Sequence, residues 1–125
     1  MEINIMGQAT PDGTYTGTVD GGGASNAITL RISQSNPSAP SNNMGNSTIS
    51  YGGTEFNVSG TFNYAQLTPT SSVKFRVTAS PVSGNEPVYS IKLDSPDQNY
   101  GVMTGSLTID RGVGVGNTYS ITLHK

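Results

Sequence analysis

Apolar residues recur at every second position in eight separate stretches of this chain, and such alternation suits one kind of element. A strand turns successive side chains to opposite faces, so a period of two gives one apolar face and one polar face. The pattern is clearest over residues 101–125. There Met103, Gly105, Leu107 and Ile109 alternate with Val102, Thr104, Ser106 and Thr108, and Tyr119, Ile121 and Leu123 alternate with Thr118, Ser120 and Thr122. The Gly112-Val113-Gly114-Val115-Gly116 segment between them reads as the turn of a β-hairpin.

The same period runs through the rest of the chain. Tyr15, Gly17 and Val19 oppose Thr14, Thr16 and Thr18, and Ile28, Leu30 and Ile32 oppose Thr29, Arg31 and Ser33. Ile49 and Tyr51 mark a short third strand, and Phe56, Val58, Gly60, Phe62 and Tyr64 a longer fourth. Val73, Phe75, Val77 and Ala79 oppose Lys74, Arg76 and Thr78, and Tyr89, Ile91 and Leu93 form the sixth. Turn residues separate the stretches, and Gly52-Gly53 is a two-residue hairpin signal. Residues 34–46 hold Pro37 and Pro40 and show no periodicity, so they read as the longest loop, with nothing to bury. Ile3 and Ile5 suggest a short leading strand. No window carries apolar residues at i, i+3, i+4 and i+7, which predicts an all-β chain without helix.

At 125 residues the chain is expected to form one domain, with 1–13 as a leading segment. Eight strands joined in succession by short connections predict an antiparallel meander, and closing it into an eight-stranded up-and-down barrel removes both exposed edges. A two-sheet sandwich is the alternative, and it needs a long crossover that only 34–46 could supply. The inward set is apolar or tyrosine throughout. Gly17, Gly60 and Gly105 fall at inward positions, where they either permit sharp bending or leave space for a ligand.

Composition removes many chemistries. With no cysteine there is no disulfide, thiolate nucleophile, Cys-ligated zinc or iron–sulfur cluster. The one histidine, His124, is the penultimate residue, a poor foundation for a catalytic triad or a histidine metal site. The eight acids lie mostly in turns or at strand ends, where turn chemistry accounts for them. Asp94, Asp97 and Asn99 match no standard calcium loop, and the glycines of 112–116 open no helix that could cradle phosphate. No enzyme activity, cofactor or metal is therefore expected. The net charge is −2 and the six bases form no dense stripe, which argues against nucleic acid as partner. Residues 1–10 lack the features of a signal peptide and no run reaches the roughly 20 apolar residues of a membrane helix, so a soluble protein is expected, its compartment open.

Chain order sorts the connections between the two ends of a meander. One end receives 20–24, Gly52-Gly53, 81–87 and 111–116; the other receives 34–46, 67–72, 95–100 and the entering segment. The second end gathers Asn42, Asn43, Tyr64, Gln66, Asp97, Gln98, Asn99 and Tyr100, amides, a carboxylate and aromatic rings suited to a glycan or small polar ligand. Barrel closure also joins Thr14, Thr16 and Thr18 to Thr118, Ser120 and Thr122 and to Thr104, Ser106 and Thr108 as one uncharged face, a candidate surface for self-association or docking. Lys74, Arg76 and Lys92 collect opposite it. The sequence thus reads as a non-enzymatic binding module, with a structural or inhibitory protein-interaction domain as the alternative.

Overall fold

All eight alternating stretches become strands, and a ninth, short one joins them. A computed structural model describes residues 11–21, 27–33, 41–44, 46–64, 72–97 and 99–125, with the backbone alone for 41–43 and Tyr64. The strands are β1 (Gly13–Asp20), β2 (Ala27–Ile32), β3 (Ser41–Asn43), β4 (Ser47–Tyr51), β5 (Thr54–Tyr64), β6 (Val73–Pro81), β7 (Val88–Ser95), β8 (Val102–Arg111) and β9 (Thr118–His124). Among the described residues there is no helix. The leading strand expected around Ile3 and Ile5 lies outside the described residues.

Strands β1, β2, β4, β5, β6, β7, β8 and β9 pair in that order, each antiparallel to the next. The ring closes where β9 pairs with β1, from Thr16 opposite His124 to Asp20 opposite Ser120. The fold is therefore a closed eight-stranded meander barrel, and the sandwich alternative is set aside. Gly52 and Gly53, at φ 61° and 80°, make the two-residue turn between Tyr51 and Thr54. Positive φ at both central residues matches the twist of the flanking strands.

Residues 34–46 are not wholly loop, because β3 pairs with the far end of β5 (Ser41 opposite Asn63, Asn43 opposite Thr61) along the same edge that β4 occupies. Between β3 and β4 the Met44 N–H donates to the Gly60 carbonyl at 2.9 Å, and its side chain is fully buried. The register thus shifts by one residue between Asn43 opposite Thr61 and Ser47 opposite Val58, in the manner of a bulge. Nor did this stretch have nothing to bury. A flexible thioether suits an irregular gap of this sort.

The barrel interior is filled by the apolar faces of the strands. The Tyr51 and Tyr89 rings, from β4 and β7, meet edge-on with centroids 5.7 Å apart, a contact that crosses the lumen because β5 and β6 lie between those strands. Phe56 packs on Tyr89 at 5.3 Å, and toward the other end Phe62 stacks on Phe75, which meets Tyr100 edge-on. Tyr15 is buried with its hydroxyl donating to the Pro11 carbonyl at 2.7 Å. The Ser33 hydroxyl donates to the Asn46 carbonyl and ties the end of β2 to the start of β4.

The inward glycines now have a definite role. A Cβ on Gly17 would collide with the Thr122 carbonyl of β9, and one on Gly105 with the Lys92 carbonyl of β7. The space inside these glycines belongs to the neighbouring backbone, so they serve bending rather than ligand room. Gly105→Ala is expected to cost about 3 kcal/mol, the upper range for forcing extra volume into a packed interior. Gly101→Ala, with nothing within 4 Å of the new methyl, should stay within about 0.5 kcal/mol. Urea unfolding of the two variants beside the wild type measures the difference, and equal midpoints would remove the close-approach explanation.

Candidate functional site

The end that receives the longer connections is assembled by register. Asn42 pairs with Phe62 on β5, Tyr64 at the end of β5 pairs with Val73 of β6, and Val73 pairs with Ser95 of β7. Strand β3, the end of β5 and the turn that follows β7 therefore share one rim. In that turn the Asp97 carboxylate accepts a hydrogen bond from the Asn99 N–H at 2.9 Å, and the Ser95 hydroxyl donates to the Asp97 carbonyl. An aspartate that binds the backbone two residues on fixes a turn without help from neighbours. Asp97 is half-buried and Asn99 exposed, so the turn offers a carboxylate and an amide to solvent from a fixed backbone.

Tyr100 differs from the expectation. It takes φ 55°, its side chain is 1 % exposed, and its ring lies 6.3 Å from Phe75. Tyr100 is a core residue that floors the rim instead of facing a ligand. The side chains of Asn42, Asn43 and Tyr64 lie outside what is described, as do Gln66 and Gln98 entirely. Of the expected rim residues, the structure brings the backbones of Asn42, Asn43 and Tyr64 to the same end as the Asp97–Asn99 turn.

The opposite end holds a feature that the sequence reading assigned only to core. Tyr51, Tyr89 and Tyr119 come from β4, β7 and β9, each at the last inward position before or after a short turn. Tyr51 and Tyr119 are half-buried, and the Asn117 side-chain amide donates to the Tyr119 hydroxyl at 3.4 Å. Burial pushes the hydroxyl pKa of Tyr51 and of Tyr89 above the ordinary value, and neighbouring tyrosines push further: Tyr119 on Tyr51, and both Tyr51 and Tyr119 on Tyr89. Exposed Val82, Val113 and Val115 sit on the turns at this end. The available signal was positional, since all three tyrosines border turns that chain order sends to the same end.

The uncharged wall assembles as the registers require. Thr18 faces Thr122, which faces Thr104; Ser120 faces Ser106; Thr118 faces Thr108, with their hydroxyls 2.9 Å apart. Thr14 and Thr16 extend the face along β1, with His124 exposed opposite Thr16. Among the described residues, no group of three or more His, Asp or Glu side chains could hold a metal ion, and no helix is long and apolar enough to cross a membrane. No protein family, curated protein or solved structure matches this chain.

The tyrosine cluster makes stability depend on alkaline pH. An unfolded tyrosine ionises near pH 10. In the folded protein Tyr51 and Tyr89 hold their protons to higher pH, as does Tyr15, raised by burial and by the nearby Asp12 carboxylate. Their contribution is fully present below about pH 10 and is lost as pH rises through the raised values, because the unfolded chain there binds fewer protons. Urea unfolding at a series of pH values should show this decline, and the double variant Tyr51→Phe, Tyr89→Phe should show a shallower one. An identical slope in the variant would exclude these hydroxyls as its source.

Proposed function

We propose that the protein is a non-catalytic binding module that takes a glycan or another small hydroxyl-rich ligand on the rim formed by residues 41–43, Tyr64, 95–97 and Asn99. The observation that carries this reading is the shared rim: β3 and the Asp97–Asn99 turn stand at the same end, and the turn presents a carboxylate and an amide on a backbone fixed by its own hydrogen bonds. Small polar groups held in advance lose little entropy on binding, which favours hydroxyl-rich ligands. The filled lumen supports a ligand on the rim over one inside the barrel. A glycan array followed by calorimetry on any hit tests the reading. The double variant Asp97→Ala, Asn99→Ala is expected to weaken binding at least tenfold, about 1.4 kcal/mol. Undiminished binding by the variant places the site elsewhere, and an array without hits counts against a glycan.

The uncharged wall favours a second reading, a protein-interaction surface for a second copy or a partner. Its specific support is continuity: threonine and serine side chains on β1, β9 and β8 meet in register with no lysine or arginine among them. A face without charged side chains can meet a like face without stripping water from an ion. Sedimentation velocity over a wide concentration range should then show a dimer that Thr16→Lys with Ser120→Lys abolishes. A monomer at the highest concentration reached would rule out self-association.

A further inference from the structure

Beside the hydroxyl wall, and not opposite it as the sequence suggests, β6 and β7 carry an arrangement that folding does not require. Arg76 on β6 and Lys92 on β7 are directly opposite each other in register, and both point outward and are exposed. Like charges facing each other across two strands destabilise a sheet. In a chain with only six basic residues, Lys74 lies on the same wall, two positions along β6 from Arg76. Between the strands lies a depression of about 240 Å³, lined by Arg76, Val77, Thr78, Ser90, Ile91 and Lys92. Thr78 and Ser90 face each other one row above the two cations.

We propose that this depression binds a tetrahedral oxyanion, the sulfate or phosphate group of a ligand, between Arg76 and Lys92. Two carboxylates are near. Asp94 stands opposite Lys74 in register and reaches Arg76 at 3.4 Å, while Asp110 accepts the Ser90 hydroxyl. Among the described residues, Lys92 has no carboxylate of its own. Both hydrogen bonds described for Arg76, to Asp94 and to the Phe75 carbonyl at 2.7 Å, come from Nη1. Its Nε and Nη2 thus remain for a fork of two parallel bonds to an oxyanion, with the Lys92 ammonium as a point charge on the other side. The Thr78 hydroxyl supplies a further donor. An anion at this place turns the repulsive pair into a shared attraction. The site does not depend on the rim reading.

Titration with sodium sulfate and, separately, sodium phosphate tests it, with ionic strength held constant by sodium chloride and backbone amide shifts followed by NMR. Saturable shifts centred on residues 76–78 and 90–92 are expected. Tighter binding of phosphate assigns the site to a phosphate ester, and tighter binding of sulfate to a sulfate ester. Lys92→Thr should weaken binding at least tenfold, whereas Lys125→Thr, which removes an equal charge elsewhere, should leave it unchanged. Without anion, Lys92→Thr should also raise the thermal midpoint, because it removes the like-charge contact. The proposal fails if neither anion gives saturable shifts at these residues, if Lys92→Thr binds as tightly as the wild type, or if Lys125→Thr weakens binding as much.

Discussion

Pairing of the last strand with the first is the constraint on which the rest of this structure depends. Closing eight strands into a ring gives every one of them a paired strand on both sides. It also forces each strand to coil tightly against its neighbours, and the close approaches appear where a side chain has been given up: β9 lies over Gly17 and β7 over Gly105. Once the ring is closed, every second residue must fill the inside and the others must face water. The strict alternation of the sequence follows from that geometry.

This is also why so much of the fold was legible in the sequence. Period two identifies a strand only when several residues agree, and all eight barrel strands supply such runs. Where a single apolar residue stands among polar and glycine neighbours, the pattern has nothing to repeat. Met44 and Tyr100 are cases of this kind, and both turned out to be fully enclosed core residues. Facing could be read from the pattern but distance could not. The inward glycines were correctly placed on the inside, yet whether they faced empty space or a neighbouring backbone was decided only by the positions of β9 and β7.

The candidate sites were less legible for a related reason. Loop length and polarity mark the end bearing Asp97 and Asn99, because polar residues in long connections are visible as such. Tyrosines at the ends of apolar faces are not, since a phenol that completes a strand looks the same whether its ring is sealed in or opens at a mouth. Tyr15 is the sealed kind, with its hydroxyl bound to Pro11, while Tyr51 and Tyr119 are half-buried at the short-turn end. Only the three-dimensional assembly separates the two.

With the inside filled, the varied side chains lie on the outside of the barrel, and that outside is divided. The row that begins with Arg76 opposite Lys92 continues through Ser106 and Ser120 to Asp20, so a single circuit passes from two adjacent cations to neutral hydroxyls. Threonine or serine serves the sheet throughout the neutral part of that circuit and would serve it at 76 and 92 as well, with better β-propensity and without repulsion. Arg76 has Asp94 at 3.4 Å as a partner, whereas Lys92 stands opposite it with no ion pair among the described residues. The pair sets a repulsion in the sheet and places donors around a shallow depression, and on that combination the oxyanion proposal rests.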